Sequence, residues 1–114
     1  MFRLLQGDVG TGKTIVALIA AQNVILNQYQ VAFMAPTEIL AKQHFNLYKK
    51  IFKDRSKASL LTGKTEYKER KDILNNLENN NIKIIFGTHA LFQKKIKFKK
   101  LGLIIVDEQH KFGV

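Results

Sequence analysis

Cysteine is absent from this sequence, and long hydrophobic runs are absent as well. Without thiols the chain has neither a disulfide framework nor a thiolate metal site, which is compatible with a reducing compartment. The longest apolar run, residues 15–21, is far too short to cross a bilayer. Asp8 and the neighbouring glycines interrupt the N-terminal apolar residues, so no signal peptide is recognisable. We therefore expect a soluble, cytoplasmic protein.

Acidic residues and arginine are both scarce. Nine acids stand against 19 lysines and arginines, of which only three are arginine, and the formal net charge is +10. This charge favours an anionic partner, for which nucleic acid is the natural candidate. However, a diffuse lysine excess is also typical of an ordinary solvated surface, and arginine is the better residue for bidentate phosphate contacts. The charge alone leaves both interpretations open.

Short apolar runs alternate with longer helix-like segments, and 114 residues with 46% apolar content suit a single domain with a modest core. This alternation predicts a doubly wound α/β fold, in which a parallel sheet binds ligands outside the carboxyl ends of its strands. The predicted strands are residues 2–5, 31–35, 58–61, 82–86 and 103–106, and the predicted helices are residues 15–28, 38–52 and 67–77.

A glycine-rich segment after the first predicted strand matches the full phosphate-binding loop pattern. Its glycines let the backbone curl so that successive N–H groups point at phosphates, and the helix that follows offers its positive end. Lys13 would reach the β- and γ-phosphates, and Thr14 would place its hydroxyl on Mg²⁺. Because the pattern is expected by chance only about 0.004 times in such a chain, we predict a nucleoside triphosphate site. The segment comprises Gly7, Asp8, Val9, Gly10, Thr11, Gly12, Lys13 and Thr14.

Two acids, Asp107 and Glu108, follow the last hydrophobic strand. Carboxylates at the mouth of a strand can hold Mg²⁺ and position a water. We predict that Asp107 is the metal-side carboxylate, acting through coordinated water, and that Glu108 orients or deprotonates the water that attacks the γ-phosphate. An apolar strand that ends in two acids is weak evidence alone, but it becomes strong when paired with the phosphate-binding loop.

The other predicted strands also end in polar or glycine-containing turns, as expected of a working face. Thr37 follows Pro36 and is a candidate helix N-cap, while Thr62 and Gly63 end the third strand. Residues 87–89 end the fourth strand, and residues 79–81, three asparagines, close the preceding helix. Ordinary turn chemistry would explain any one of these turns. In the helix over residues 38–52, the apolar residues near helical spacing are Ile39, Leu40, Phe45, Leu47, Tyr48, Ile51 and Phe52.

Several blocks of the sequence resemble, in order and spacing, the motifs of superfamily 2 helicases, and specifically RecG-type ATP-dependent DNA helicases. Lys111 stands where relatives usually carry Arg, a change that keeps the charge. Transcription-repair coupling factors are similar, but they typically have Asp-Glu-Glu-His where this chain has Gln109 in the third place, and a different motif Ia. The blocks are RLLQGDVGTGKT (motif I), MAPTEILAKQH (Ia), LLTG (Ib), GTHALFQ (Ic) and LGLIIVDEQHKFGV (II).

The resemblance implies a RecA-like P-loop NTPase motor that uses ATP and Mg²⁺ to translocate on branched duplex DNA, such as stalled forks and Holliday junctions. Lys13 and Thr14 would bind the triphosphate and Mg²⁺, with Asp107 and Glu108 as the hydrolytic pair. Gln109 and His110 would couple the nucleotide to the nucleic acid. The candidates to face the DNA backbone, without reading bases, are Thr37, Thr62, Gly63, Thr88 and His89.

The resemblance also implies that residues 1–114 form a partial N-terminal RecA-like helicase ATP-binding domain. The second RecA-like domain and the wedge domain of the family would then lie outside it. In the family, the motif III strand lies between the phosphate-loop strand and the Asp-Glu strand, and this strand is missing here. We expect those two strands either to expose unpaired backbone groups or to pair directly at some cost in site geometry. The isolated segment should be marginally stable and prone to aggregation.

Three alternatives to a RecG-type motor stay open at this level. The chain could be the motor of a translocase like the transcription-repair coupling factor, a nucleotide- or DNA-binding fragment without turnover, or a truncated product with no function of its own. The lysine-rich residues 94–100 could extend a DNA-facing surface, but a solvated connection is the favoured interpretation.

Overall fold

A computed structural model of the chain describes residues 3–7, 11–52, 58–89 and 96–107. Within these residues strands and helices alternate as predicted, and the bounds differ from the predicted ones by a few residues. The elements are β1 (Arg3–Gly7), α1 (Thr11–Leu26), β2 (Gln30–Ala35), α2 (Glu38–Ile51), β3 (Ala58–Leu60), α3 (Tyr67–Glu78), β4 (Ile84–Thr88) and β5 (Leu101–Asp107).

The five described strands form one parallel sheet in the order β1-β5-β2-β4-β3. Their carboxyl ends therefore meet at one edge, as the α/β prediction required. β1 pairs directly with β5, in a register that runs from Arg3 beside Leu103 to Gly7 beside Asp107. Of the two outcomes expected for these strands, direct pairing is the one observed.

Helices cover both faces of the sheet, and the alternation of side chains along each strand divides the core into two layers. On one face, α1 and α2 pack on residues such as Phe33, Phe86 and Ile105. On the other face, α3 packs on the intervening strand positions, including Ala32 and Ile85. The parallel sheet flanked by helices confirms the predicted fold class.

Local chemistry explains where two of the helices begin and end. α2 begins after Thr37, whose Oγ1 accepts a hydrogen bond from the N–H of Leu40 at 3.2 Å, so the predicted N-cap is confirmed. α3 is followed by Asn80 at φ 64°, a left-handed conformation that asparagine tolerates better than most residues. The predicted closure by asparagines is therefore also confirmed.

The inward face of α2 includes some but not all of the apolar residues at helical spacing. Ile39 is 71% exposed and Ile51 is 40% exposed, so two members of this apolar set face solvent. The buried positions are Ala41, His44 and Tyr48, which recur at helical spacing. Phe45, Leu47 and Phe52 of the apolar set pack against the core, but its spacing gave no place to the polar ring of His44.

The fourth strand also begins later than predicted. Ile82 is buried, but its N–H bonds to the carbonyl of Asn76 at 3.2 Å, which belongs to α3. This residue therefore belongs to the connection that packs under α3, and the sheet pairing of β4 begins at Ile84.

Candidate functional site

Asp107 is the last residue of β5 and is completely buried. Its side chain follows the strand alternation of Leu103 and Ile105, so it lies on the face covered by α1 and α2. The register of the sheet places Asp107 directly beside Gly7, the first residue of the phosphate-binding segment. Two motifs that are far apart in sequence therefore meet at the carboxyl edge.

The phosphate-binding segment has the structural context that its pattern requires. β1 ends at Gly7 and α1 begins at Thr11, so a strand precedes the loop and a helix follows it. The N-terminus of α1 carries the positive end of the helix dipole toward this edge. Thr14, in the first turns of α1, is buried with 3% of its surface exposed.

Several candidate residues lie outside the described part of the chain. In the loop these are Asp8, Val9 and Gly10, and after β5 they are Glu108, Gln109 and His110. Thr11, Gly12 and Lys13 are described only as helical backbone at the start of α1.

A buried contact joins Asp107 to α2. His44 Nε2 lies 3.0 Å from Asp107 Oδ2, across 63 residues of sequence. In the tautomer that carries its proton on Nε2, the His44 ring donates to this carboxylate oxygen. The His44 ring also packs on Phe33 of β2, with 4.8 Å between the ring centroids. Asp107 is thus held from the helix layer as well as from its own strand.

The donor atoms at this edge suit Mg²⁺. Thr14 offers a hydroxyl and Asp107 a carboxylate, and both are hard oxygen ligands on elements that meet beside Gly7. Within the described residues no group of three or more His, Cys, Asp or Glu could form a metal cage. Mg²⁺ in nucleotide sites typically takes one or two protein oxygens together with phosphate oxygens and waters, so the residues present fit that ion.

The candidate nucleic-acid residues occupy the other half of the same edge. Thr37 follows β2, Thr88 ends β4, and Thr62 and Gly63 lie just after β3. Since β2, β4 and β3 are consecutive neighbours in the sheet, these turns lie side by side. The strands β1 and β5, with the phosphate-binding segment and Asp107, lie on the opposite side of β2.

Internal hydrogen bonds engage the backbone N–H groups of the turn after β3. Thr62 N–H donates to Thr65 Oγ1 at 3.0 Å, and Lys64 N–H donates to Thr62 Oγ1 at 3.2 Å. Gly63 N–H donates to Glu38 Oε2 at 2.7 Å. A carboxylate from the first turn of α2 therefore accepts a backbone hydrogen bond at this turn, as a bound anion would.

His89 differs from the other candidates in its orientation. Its Nε2 is buried and has no hydrogen-bond partner among the described residues. This ring nitrogen is not presented to solvent, whereas Thr37 and Gly63 are exposed.

Comparison with known proteins identifies the family. The model of the family described as DEAD/DEAH box helicase matches residues 3–114. The chain belongs to this helicase family. It is 50% identical over 115 aligned residues to the ATP-dependent DNA helicase RecG of Aquifex aeolicus, and 51% identical over 114 to that of Staphylococcus aureus strain NCTC 8325. All of this chain aligns, against 14% and 17% of those relatives.

The fold of this helicase domain also matches a solved structure, that of RecG bound to a three-way DNA junction. The TM-score is 0.82 with 47% sequence identity, and the match covers 96% of this chain and 15% of that chain. The expected resemblance to RecG-type helicases is therefore confirmed in both sequence and fold. No helix within the described residues is long and apolar enough to cross a membrane.

Two polar residues of this helicase domain were missed by sequence reasoning. His44 and Glu38 both lie on α2, in the block assigned to motif Ia, and make the contacts to Asp107 and Gly63. The spacing of His44 from Ala41 and Tyr48, on one face of a helix, was a signal that could have placed it inside. Nothing in the local pattern around Glu38 indicated its partner, because that partner lies in another turn.

Proposed function

We propose that the protein is an ATP-dependent DNA helicase, or translocase, that remodels branched DNA such as stalled forks and Holliday junctions in recombination and repair. The observation that carries this proposal is the pairing of Gly7 with Asp107, which brings the phosphate-binding segment to a strand-end carboxylate, in a chain about half identical to RecG helicases. The named three-way junction of the structural relative supports branched DNA as the substrate.

In this proposal the residues at β1 and β5 handle ATP. The loop of residues 7–14 binds the triphosphate through its N–H groups and Lys13, and Thr14 and Asp107 would hold Mg²⁺. When bound, Mg²⁺ neutralises charge that develops on the phosphates. Glu108 orients the attacking water and takes up its proton.

The turns on the other half of the edge contact the DNA backbone. Hydroxyl and N–H groups of Thr37, Thr62, Gly63 and Thr88 would bind phosphates without reading bases, with DNA phosphates replacing the internal partners of the turn after β3. His89 stays in the proposed set. Gln109 and His110 couple ATP hydrolysis to these contacts.

In the whole protein, residues 1–114 would be part of the N-terminal RecA-like domain. A second RecA-like domain and a wedge domain would be its partners within the same protein. The chain spans 14 to 17% of the length of the curated relatives it matches, which leaves ample room for both in proteins of that length. We propose that the protein acts in the cytoplasm.

The test is ATP hydrolysis by the full-length protein, with and without forked DNA. We expect the fork to stimulate hydrolysis and Glu108→Gln to lower kcat by at least about 100-fold, since the residue acts in the chemical step. ATP binding should survive in that variant. Lys13→Ala should instead weaken binding itself, because the charge on the phosphates is then unmatched.

Other results would contradict the proposal in distinct ways. ATP and DNA binding without phosphate release in the wild type would indicate a binding protein. Hydrolysis that linear duplex stimulates as strongly as forks do would remove branched DNA as the substrate. Glu78→Gln, the same chemical change on exposed α3, is the matched control and should leave hydrolysis unchanged.

A further inference from the structure

His44 is a polar residue in a position where an apolar one would be expected. It lies on the inward face of α2 between Ala41 and Tyr48, and 7% of its surface is exposed. A buried polar ring costs free energy unless it is hydrogen-bonded, and Nε2 of His44 lies 3.0 Å from the Asp107 carboxylate. The contact therefore gives this ring nitrogen a polar partner inside the core.

The surroundings of His44 leave its ring little freedom. One side packs on Phe33, which is completely buried and is itself stacked on Phe86 at 5.2 Å between centroids. One turn further along α2, the Tyr48 hydroxyl bonds to Gln22 Oε1 of α1 at 3.2 Å. The helix that carries His44 is thus fixed to both the sheet and α1.

We infer that His44 is a positioning residue, which holds the Asp107 carboxylate in the orientation needed for Mg²⁺. This inference rests on the proposed function, in which Asp107 serves the nucleotide-bound ion. A carboxylate that serves a metal ion, directly or through a coordinated water, is commonly fixed in orientation by an outer hydrogen-bond donor, and loss of such a partner typically weakens metal affinity by about 10- to 100-fold. His44 supplies that donor from a helix 63 residues away in sequence.

The experiment measures how ATP binding depends on Mg²⁺ concentration in the full-length protein. A Glu108→Gln background prevents turnover, so the reading is the Mg²⁺ concentration that gives half-maximal binding of a fluorescent ATP analogue. His44→Phe keeps a ring against Phe33 but removes the donor, and we expect it to raise this concentration by about 10-fold or more. His44→Gln restores a terminal N–H donor and should recover most of the affinity.

Tyr48→Phe is the matched control. It removes a hydrogen bond that the same helix makes to Gln22 of α1, and leaves the contact with Asp107 of β5 in place. It should lower thermal stability without shifting the Mg²⁺ dependence. An equal shift in Tyr48→Phe would overturn the inference in favour of helix packing. An unshifted His44→Phe would also overturn it, as would a His44→Gln variant as impaired as His44→Phe.

The failure of the proposed function would look different. A wild-type protein with no Mg²⁺-dependent ATP binding would remove the proposed function and the inference together. Normal ATP binding and fork-stimulated hydrolysis in the wild type, with no effect of His44→Phe, would remove the inference alone.

Discussion

Single buried polar residues hold distant parts of this fold together, and Gln30 is one of them. It is the first residue of β2 and is completely buried. Its Nε2 donates to the carbonyls of Leu77 and Ile82, both at 2.8 Å, and its Oε1 accepts from the N–H of Lys100 at 2.8 Å. One amide therefore ties the end of α3 to the beginnings of β4 and β5.

Gln30→Leu should destabilise the domain by about 3 kcal/mol, because three backbone groups each lose a hydrogen bond, two of these bonds being buried. Hydrogen exchange in peptides from β2 and β5 of the full-length protein would show this as a lower free energy of opening. Asn27→Ala is the control, since it removes an exposed amide bond to the carbonyl of Asn23 and should have little effect. Equal protection in Gln30→Leu and wild type would contradict the structural role.

At the scale of elements, helix α2 contacts both halves of the carboxyl edge of the sheet. Its N-terminus lies at the candidate nucleic-acid turns, where Glu38 accepts from Gly63 N–H at 2.7 Å, and His44 lies further along at Asp107. Six residues of helix separate these contacts, a rise of about 9 Å. The element therefore contacts both candidate sites through its own side chains.

Glu38→Gln should strengthen DNA binding. The carboxylate holds an N–H that a DNA phosphate would use and adds a negative charge beside it. Removing a charge of this kind at a solvent-accessible site is worth about 1 kcal/mol, which corresponds to roughly fivefold tighter binding. Fluorescence anisotropy with a labelled fork at several salt concentrations is the measurement. Glu78→Gln makes the same charge change away from this edge, and an equal gain in both variants would indicate a general charge effect.

At the scale of the whole molecule, an exposed apolar helix face and a large net charge have opposite effects on association. Val16, Ile19 and Leu26 of α1 are 66, 50 and 67% exposed, and they recur on one side of the helix. Such a patch favours association, while a formal charge of +10 opposes it. β1 and β5 pair directly, so they expose no unpaired backbone groups to each other. The exposed face of α1 is therefore the stronger reason to expect aggregation.

Residues 1–114 expressed alone should self-associate, and replacing Val16 and Ile19 by Gln should raise the monomer fraction severalfold in sedimentation velocity. The reason is the loss of contiguous exposed apolar surface. Ile39→Gln is the control, because Ile39 is 71% exposed on a different helix. A monomeric wild-type segment with a cooperative melt well above physiological temperature would contradict both this prediction and the expected marginal stability.

The sequence by itself determined the features that depend on near neighbours. The spacing of residues 7–14 predicted a strand, loop and helix in that order, Thr37 predicted a helix start, and the asparagines at 79–81 predicted a helix end. These predictions hold because backbone conformation and capping depend on residues within a few positions. The apolar runs predicted a parallel sheet for a similar reason. A strand that is buried on both faces is apolar along its whole length, and this can be recognised in each strand separately.

Only the tertiary structure decided which of these elements meet. The strand order sets Gly7 beside Asp107 and groups the turns after β2, β4 and β3. From its inward position His44 contacts the Asp107 carboxylate, 63 residues away in sequence. Glu38 accepts a hydrogen bond from Gly63, 25 residues away. Contacts of this kind depend on how whole elements pack, because a side chain's local pattern carries no information about which strand lies opposite it.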